Sequence, residues 1–92
     1  MNITKVKSPN FSKKLRNFKS INFLIIHYTG MQSKRESIER LISKKYKVSC
    51  HYLIDRQGWI TRILEDNQIA WHAGKSKWKN LINLNNNSIG IE

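Results

Sequence analysis

The sequence predicts an α/β fold in which a central mixed β-sheet carries a flanking helix. Three observations support this class: an apolar run at residues 22–27, an amphipathic run at residues 33–46, and two strand-like runs joined by a turn at residues 50–64. Strand, helix, strand, strand and a final strand is an order typical of a mixed sheet with a helix packed on it. At 92 residues, the chain has room for one small domain.

Residues 1–20 form a basic lead-in without a hydrophobic period, and they contain the only proline, Pro9. We predict an irregular segment there with one short turn near residues 11–15, followed by a domain at residues 21–92. No apolar stretch of the kind that a signal peptide needs follows the lysines of the lead-in. The longest apolar run, residues 23–26, is too short to cross a bilayer. The sequence therefore predicts no membrane span, and it leaves the cellular location open.

The run at residues 22–27 is apolar on both faces and rich in β-formers, which is typical of a strand in the middle of a sheet. After it, Ser33 stands three residues before Glu36, the capping-box pattern that begins a helix. Apolar side chains then follow at helical spacing. The pattern predicts an amphipathic helix over residues 33–46, packed on the sheet.

The second half of the chain predicts a hairpin and a final strand. Residues 50–55 and 59–64 are strand-like, and Gly58 suits the positive φ of a turn between them. Residues 69–71 predict a short strand, and residues 72–87 a long polar loop. Residues 88–92 predict the last strand.

The net charge of +11 has two explanations that composition alone does not separate. A polyanionic partner such as nucleic acid, anionic lipid or a wall polymer is one. A lysine- and asparagine-rich composition at every surface position is the other. A nucleic-acid-binding module would interleave basic and aromatic side chains on one face. Here the aromatic residues lie in or beside the strands, while the basic residues concentrate in the lead-in and the helix, so nucleic acid is disfavoured as a partner.

His27 places an ionisable ring at the end of an apolar strand. The functional interpretation is a metal ligand or a general base on a rigid element. Residue type alone favours a half-buried histidine with a backbone partner.

Trp71 and His72 form a second candidate, because an aromatic ring beside a histidine and small loop residues suits a cleft for a sugar or a peptide. The alternative is that Trp71 is ordinary core and the loop only a connection.

Glu92 is the third candidate, since it shares one face of the last strand with Gly90. The glycine is expected to leave open space beside the carboxylate, and apolar neighbours are expected to raise its pKa and make it a proton acceptor. The alternative is a solvated glutamate.

A zinc site built from all three histidines, His27, His51 and His72, is conceivable, because catalytic zinc takes three protein ligands and a water. No local spacing supports it, so it is disfavoured. Cys50 and His51 cannot both bind one metal, because adjacent strand residues point to opposite faces. A single cysteine also rules out an internal disulfide.

The order and wording of four segments resemble the N-acetylmuramoyl-L-alanine amidases, with AmiD-like enzymes nearest and phage T7 lysozyme and the peptidoglycan recognition proteins more distant. These segments are Ile25-Ile-His-Tyr-Thr-Gly30, Val48-Ser-Cys-His-Tyr-Leu-Ile-Asp-Arg-Gln-Gly58, Ala70-Trp-His-Ala-Gly74 and Asn85-Asn-Asn-Ser-Ile-Gly-Ile-Glu92.

The resemblance implies a central mixed sheet with one zinc ion in a surface cleft. It implies zinc-dependent hydrolysis of the amide bond between N-acetylmuramic acid and L-alanine, with peptidoglycan or muropeptides as the partner. By the same resemblance His27 is the first zinc ligand, Glu92 assists the attacking water, and Trp71 and His72 line the substrate cleft. His27 and Glu92 are then expected close together at one rim of the sheet. Family members are typically periplasmic, secreted or envelope-associated.

The resemblance also shows what these residues lack. The family's second and third zinc ligands come from a segment beyond the Ser-Ile-Gly-Ile-Glu strand, and Cys50 stands where some relatives carry a catalytic tyrosine. The expectation is a truncated amidase-type fold that lacks two zinc ligands, binds zinc weakly or not at all, and is not active alone. The alternatives are an inactive remnant or a cell-wall-binding fragment and, less favoured, a nucleic-acid-binding module. The oligomeric state is left open.

Overall fold

The computed structural model describes residues 3–28, 33–73, 77–78, 81–82 and 84–92. Within these ranges the chain forms one α-helix, α1 (Lys34–Ile42), and short 3₁₀ helices at Phe18–Ser20, Lys44–Tyr46 and Leu84–Asn87. The strands in the same ranges are β1 (Ile3–Lys5), β2 (Phe23–Ile26), β3 (Tyr52–Ile54), β4 (Ile60–Arg62), β5 (Lys77–Trp78), β6 (Leu81–Ile82) and β7 (Ser88–Ile91).

Five of the described strands form a mixed sheet in the order β1-β4-β3-β7-β2. β3 and β4 are antiparallel, whereas β1 with β4, β3 with β7 and β2 with β7 are parallel. The buried Leu41 of α1 joins the core cluster that includes Leu53 and Ile63, and Ile38 and Ile42 pack against it. The predicted α/β fold, a mixed sheet with a flanking helix, is therefore confirmed.

The predicted central position of the first strand is wrong. β2 lies at the edge of the described sheet and pairs there with β7. One face of β2, with Phe23 and Ile25, is half-buried, whereas Leu24 and Ile26 on the other face are exposed, Ile26 at 75%. Apolarity on both faces thus did not mean burial on both faces.

The helix begins as predicted and ends earlier. Ser33 caps it, since its side chain accepts the backbone N–H of Glu36. α1 stops at Ile42 rather than residue 46, because Ser43 has an extended backbone, and two lead-in residues bind carbonyls at this end. The Ser8 hydroxyl donates to the Leu41 carbonyl, and the buried Asn10 amide donates to the carbonyls of Leu41 and Ser43. Side chains from outside the helix therefore satisfy C-terminal carbonyls that an isolated helix leaves unpaired.

The lead-in contributes more structure than the sequence predicted. Residues 3–5 are the edge strand β1, which pairs with β4, so the irregular segment predicted for residues 1–20 is wrong at this point. Farther along the lead-in, Phe11 forms an isolated antiparallel bridge with Ala70. Ala70 lies in residues 69–71, for which the sequence predicted a short strand. The proposed division between residues 1–20 and 21–92 stays a prediction.

The predicted hairpin is confirmed. β3 and β4 are joined by a turn in which Gly58 has a φ of +86° and the Asp55 carboxylate accepts the backbone N–H groups of Gln57 and Trp59. A left-handed φ strains residues with a side chain, so glycine suits this position. The long loop predicted for residues 72–87 instead contains β5, β6 and the 3₁₀ helix Leu84–Asn87, while Gly74 lies outside the described residues.

Among the described residues, no helix has the length and apolarity that a bilayer crossing requires.

Candidate active site at one edge of the sheet

His27 and Glu92 leave neighbouring strands side by side. The parallel register of β2 and β7 ends with Ile26 opposite Ile91, and the backbone N–H of His27 donates to the Ile91 carbonyl at 2.8 Å. One residue farther along each strand, His27 and Glu92 therefore project from the same face of the sheet. This is the rim at which the sequence placed them.

The environment of Glu92 raises the pKa of its carboxyl group, as the sequence predicted. Burial is the largest cause, because it disfavours the charged carboxylate, while the nearby His27 and Arg40 act in the opposite direction. A carboxylate whose pKa is raised binds a proton more strongly than an ordinary glutamate does and is therefore a better proton acceptor.

His72 comes to the same rim from the loop after β4. Its Nδ1 lies 2.8 Å from Nε2 of His27, and its Nε2 lies 2.9 Å from the Ser88 hydroxyl. The Asn85 side-chain oxygen accepts the backbone N–H groups of His72 and Ala73 and so holds this turn. Burial, with the neighbouring His27, His51 and Arg16, lowers the pKa of His72 to about 3.

Gly90 makes room for the His72 ring. A Cβ atom at Gly90 would lie 2.6 Å from Cγ of His72, which is closer than atoms can pack. The open space that the sequence predicted beside Glu92 is therefore wrong, since the imidazole of His72 occupies the space above Gly90. Because Gly90 has no side chain, the His72 ring fits where the sequence predicted room for a substrate or a water.

His51 is fully buried and has both ring nitrogens in use. Its Nδ1 accepts the backbone N–H of Gly90 at 3.1 Å, so the proton is on Nε2, which donates to the Gln68 carbonyl at 2.8 Å. Burial is the main cause of its lowered pKa, and the Arg16 guanidinium, 3.3 Å from Nε2, adds to it. His51 is thus a structural residue, and the three-histidine metal site is not formed.

Trp71 lies beside the site with its polar atoms bound to the protein. Its indole N–H donates to the Ser12 hydroxyl at 3.0 Å, and its backbone N–H donates to the Ser49 hydroxyl at 2.9 Å. The half-buried ring is therefore anchored by the lead-in. A role for Trp71 in substrate binding stays a prediction.

The buried Cys50 is not a reactive thiol. Burial, with the charge of Glu92 second, raises its pKa to about 12, and its Sγ donates to the Tyr52 carbonyl. A protonated thiol neither attacks a carbonyl nor binds a metal well.

The described residues do not make a complete zinc site. No three histidine, cysteine, aspartate or glutamate side chains in the described ranges are arranged to hold a metal ion. His27 Nε2 and His72 Nδ1 are 2.8 Å apart, but they are two nitrogens and they share a hydrogen bond. Catalytic zinc takes three protein ligands, so this set does not fit it.

Two residues at this rim were not predicted from the sequence. Ser88 contacts the His72 ring, and Asn85 accepts the backbone N–H of His72. The available signal was strand alternation, because Ser88 shares one face of β7 with Gly90 and Glu92. Asn85 gives no such signal, since it lies in a run of asparagines.

Comparison with known proteins identifies the family. The family model for N-acetylmuramoyl-L-alanine amidase matches residues 17–92. The 1,6-anhydro-N-acetylmuramyl-L-alanine amidase AmpD of Haemophilus influenzae is 34% identical over 104 aligned positions, which cover 95% of this chain and 56% of AmpD.

Solved structures agree. A crystal structure of a selenomethionine derivative of AmpD matches with a TM-score of 0.76 and 26% identity, over 98% of this chain and 59% of that one. The Escherichia coli amidase AmiD, in complex with the substrate anhydro-N-acetylmuramic acid-L-Ala-D-gamma-Glu-L-Lys, matches with a TM-score of 0.69 and 38% identity, over 79% of this chain and 30% of AmiD.

The chain thus spans little more than half of AmpD. The family is generally zinc-dependent. The matched region contains the rim with His27, His72 and Glu92, and the predicted resemblance is confirmed. The chain belongs to the N-acetylmuramoyl-L-alanine amidase family.

Proposed function

We propose that this chain supplies the sheet side of an active site that hydrolyses the amide bond between N-acetylmuramic acid and L-alanine of peptidoglycan. The observation that carries this proposal is the convergence of His27, His72 and Glu92 at one rim of the sheet. Relatives that match nearly the whole chain are amidases of this bond. A muropeptide is the proposed substrate, in line with the one that AmiD binds.

Glu92 is the proposed proton acceptor. Its raised pKa keeps the proton affinity of the carboxylate high enough to take a proton from a water that attacks the lactyl carbonyl carbon. As the C–N bond breaks, the same carboxyl group returns the proton to the departing amine of L-alanine. One water is consumed, and a lactyl carboxylic acid and a free stem peptide are formed.

His27 is the proposed first metal ligand, and Trp71 with His72 the proposed wall of the substrate cleft. The described residues offer at most two imidazole nitrogens near His27, so tight zinc binding needs ligands from elsewhere. The relatives carry further sequence that this chain does not match. We therefore propose that hydrolysis requires that additional part.

A fusion tests this proposal. Residues 1–92 alone and residues 1–92 joined to the unmatched C-terminal part of the AmpD domain are incubated with anhydro-N-acetylmuramyl-tripeptide, and released peptide is measured by mass spectrometry. We expect no release by the chain alone and release by the fusion. In the fusion, Glu92→Ala should lower turnover by about 100-fold or more, as loss of a general base does, without changing zinc content.

The exposed Glu39 of α1 gives the matched control, because Glu39→Ala removes a carboxylate that pairs with Arg35 and not with a residue of the rim. A zinc-loaded fusion that cleaves equally well with and without Glu92 would contradict the assigned role. Cleavage by the 92-residue chain alone would contradict the need for a further segment.

Wall binding without hydrolysis is the second candidate, and the incomplete metal ligand set among the described residues favours it. It predicts that the chain co-sediments with purified peptidoglycan in the presence of EDTA, and that the fusion gains no activity. Equal sedimentation with peptidoglycan and with an unrelated anionic polymer would instead assign the binding to the net charge of +11.

A further inference from the structure

The hydrogen bonds of Ser88 have only one consistent direction. Ser88 is fully buried, and its single hydroxyl hydrogen has the Leu84 carbonyl at 2.7 Å as a partner. A carbonyl oxygen can only accept, so the hydroxyl donates to it. The second contact of Ser88 Oγ, with His72 Nε2 at 2.9 Å, must then use an oxygen lone pair. His72 therefore carries a proton on Nε2.

The protonation of His72 also sets which atom donates in its hydrogen bond with His27. A neutral imidazole has one N–H and one lone pair, so a proton on Nε2 leaves His72 Nδ1 as an acceptor. The ring partners of His72 among the described residues are the Ser88 hydroxyl and the His27 imidazole, and neither is a carboxylate that would hold a second proton on the ring. His27 Nε2, 2.8 Å from this acceptor, must donate. In a neutral His27, the lone pair is then on Nδ1.

We propose that Ser88 is a positioning residue that acts through His72, fixing the Nε2–H tautomer of His27 and leaving Nδ1 as its unprotonated nitrogen. Gly90 is part of the same device, since only a residue without Cβ lets the His72 ring lie between Ser88 and His27. Three alternate residues thus serve the site, two in β7 and one directly after it: Ser88 orients His72, Gly90 leaves room for the His72 ring, and Glu92 is the proposed proton acceptor.

The chemical consequence concerns which atom of His27 can bind or react. A histidine that binds a metal or takes up a proton does so through its unprotonated nitrogen, and the partner of its other nitrogen sets which one that is. Here Nδ1 of His27 has no hydrogen-bond partner among the described residues, whereas Nε2 is engaged. This positioning role rests on the proposed function of His27, but it is measurable without catalysis.

Nitrogen NMR of the whole chain, labelled with ¹⁵N-histidine, provides the test, because long-range ¹H–¹⁵N correlations distinguish protonated from unprotonated ring nitrogens. The chain has only three histidines, and His51 serves as an internal reference with its own fixed Nε2–H tautomer. At neutral pH we expect all three rings to carry the proton on Nε2. His27→Gln and His72→Gln assign the signals.

Ser88→Ala should then shift the tautomer ratio of His72 toward Nδ1–H by about fivefold, the equivalent of one net hydrogen bond, and shift His27 with it. Ser88→Thr, which keeps the hydroxyl, should restore the wild-type ratio. Ser37→Ala is the matched control, because Ser37 is a buried serine of α1 whose hydroxyl donates to the backbone carbonyl of Ser33 and not to a histidine. His51 should not change in any of them.

A wild-type His27 protonated on Nδ1 would overturn the proposal, whatever the variants do. Unchanged His27 and His72 signals in a folded Ser88→Ala chain would also overturn it. If Ser88→Ala does not fold, which loss of the His51 signature reveals, Ser88→Cys replaces it and must show a partial shift. Failure of the fusion to cleave muropeptides would leave these spectra unaffected, so the two proposals fail separately.

Discussion

At the scale of single residues, Gly90 shows how the absence of a side chain can define a site. Its position on β7 is filled by the ring of His72, and its backbone N–H is bound by His51. Gly90 therefore contacts two histidines: the His72 ring packs against its Cα, and His51 accepts a hydrogen bond from its backbone N–H. Any side chain added at residue 90 should displace His72 first, because its Cβ would collide with the His72 ring.

Gly90→Ala is expected to displace the His72 imidazole and break its contact with His27. The added methyl would sit 2.6 Å from His72 Cγ, and overpacking of this kind costs about 1–3 kcal/mol of unfolding free energy. Urea unfolding measures the cost, and the histidine spectra measure the displacement. Gly58→Ala is the control: its Cβ meets no atom, but its φ of +86° should destabilise the turn without touching His72. Unchanged His72 signals in Gly90→Ala would contradict the close packing.

His51 should make the stability of the chain depend on pH. Its pKa in the folded state is lowered, mainly by burial, so the unfolded state takes up the proton first as the pH falls below about 6.5. Its contribution is therefore intact above that pH and is lost below it, with a slope of at most about 1.4 kcal/mol per pH unit. Urea midpoints between about pH 7 and pH 5 measure this slope.

Glu92 acts in the opposite direction, because its raised pKa favours the folded state at low pH. The comparison is therefore best made with Glu92→Gln, alone and combined with His51→Gln. The combined variant should be less stable but should show a shallower slope. If stability falls with pH equally steeply in Glu92→Gln and in the double variant, the lowered pKa of His51 is contradicted.

At the scale of elements, β2 is an edge strand that lacks the usual protection of such strands. It contains no charged residue, and its outer face exposes Leu24 and Ile26, with Tyr28 just beyond it. Natural edge strands are commonly blocked by charge, proline or a bulge, since open backbone groups can pair with another chain. β2 has none of these features along Phe23–Ile26.

Ile26→Lys is expected to reduce self-association and leave stability nearly unchanged, within about 0.5 kcal/mol, because the side chain is already 75% exposed. Sedimentation velocity over a range of concentrations measures association, and urea unfolding measures stability. Ile25→Lys is the matched control on the half-buried face, where a charge should destabilise the chain. Equal association of wild type and Ile26→Lys would show that this edge is not the adhesive surface.

The same elements show how much sequence reasoning could predict. The hairpin turn at Gly58 and the helix cap at Ser33 were predictable, because each depends on a few neighbouring residues. The edge position of β2 was not predictable, because the sequence of an apolar strand does not show whether strands pair with it on one side or on both. The end of α1 was missed for a related reason: Asn10, which binds carbonyls near that end, is about 30 residues away in sequence.

The candidate site divides in the same way. The shared position of His27 and Glu92 at one rim was predictable, because each directly follows a recognisable strand and parallel pairing brings such ends together. The link between His72 and Ser88 depends on how a loop folds back over β7, which local spacing does not encode. Gly90 was noticed, but its empty space was assigned to the wrong occupant, since a glycine shows only that something approaches.

At the scale of the whole molecule, zinc affinity reports whether the described rim is sufficient. Calorimetric titration of the chain with zinc should show no nanomolar site, because three ligands are needed and the described rim provides at most two nitrogens. His27→Ala should therefore alter the titration little. A stoichiometric nanomolar complex that disappears in His27→Ala would contradict this and show that additional groups complete the site.

The sheet order also has a consequence in time. β3 and β4 are close in sequence and can pair early, whereas Phe23 of β2 must wait for Ser88 of β7. At about 5–20 residues per second, the ribosome needs roughly 3–13 seconds to extend the chain from Phe23 to Ser88, and β2 stays without its partner for that period. We therefore expect nascent chains arrested before Ser88 to be cleaved rapidly by protease around β2 and to recruit chaperones there. β2, which ends directly before His27, is thus synthesised well before the strand that pairs with it.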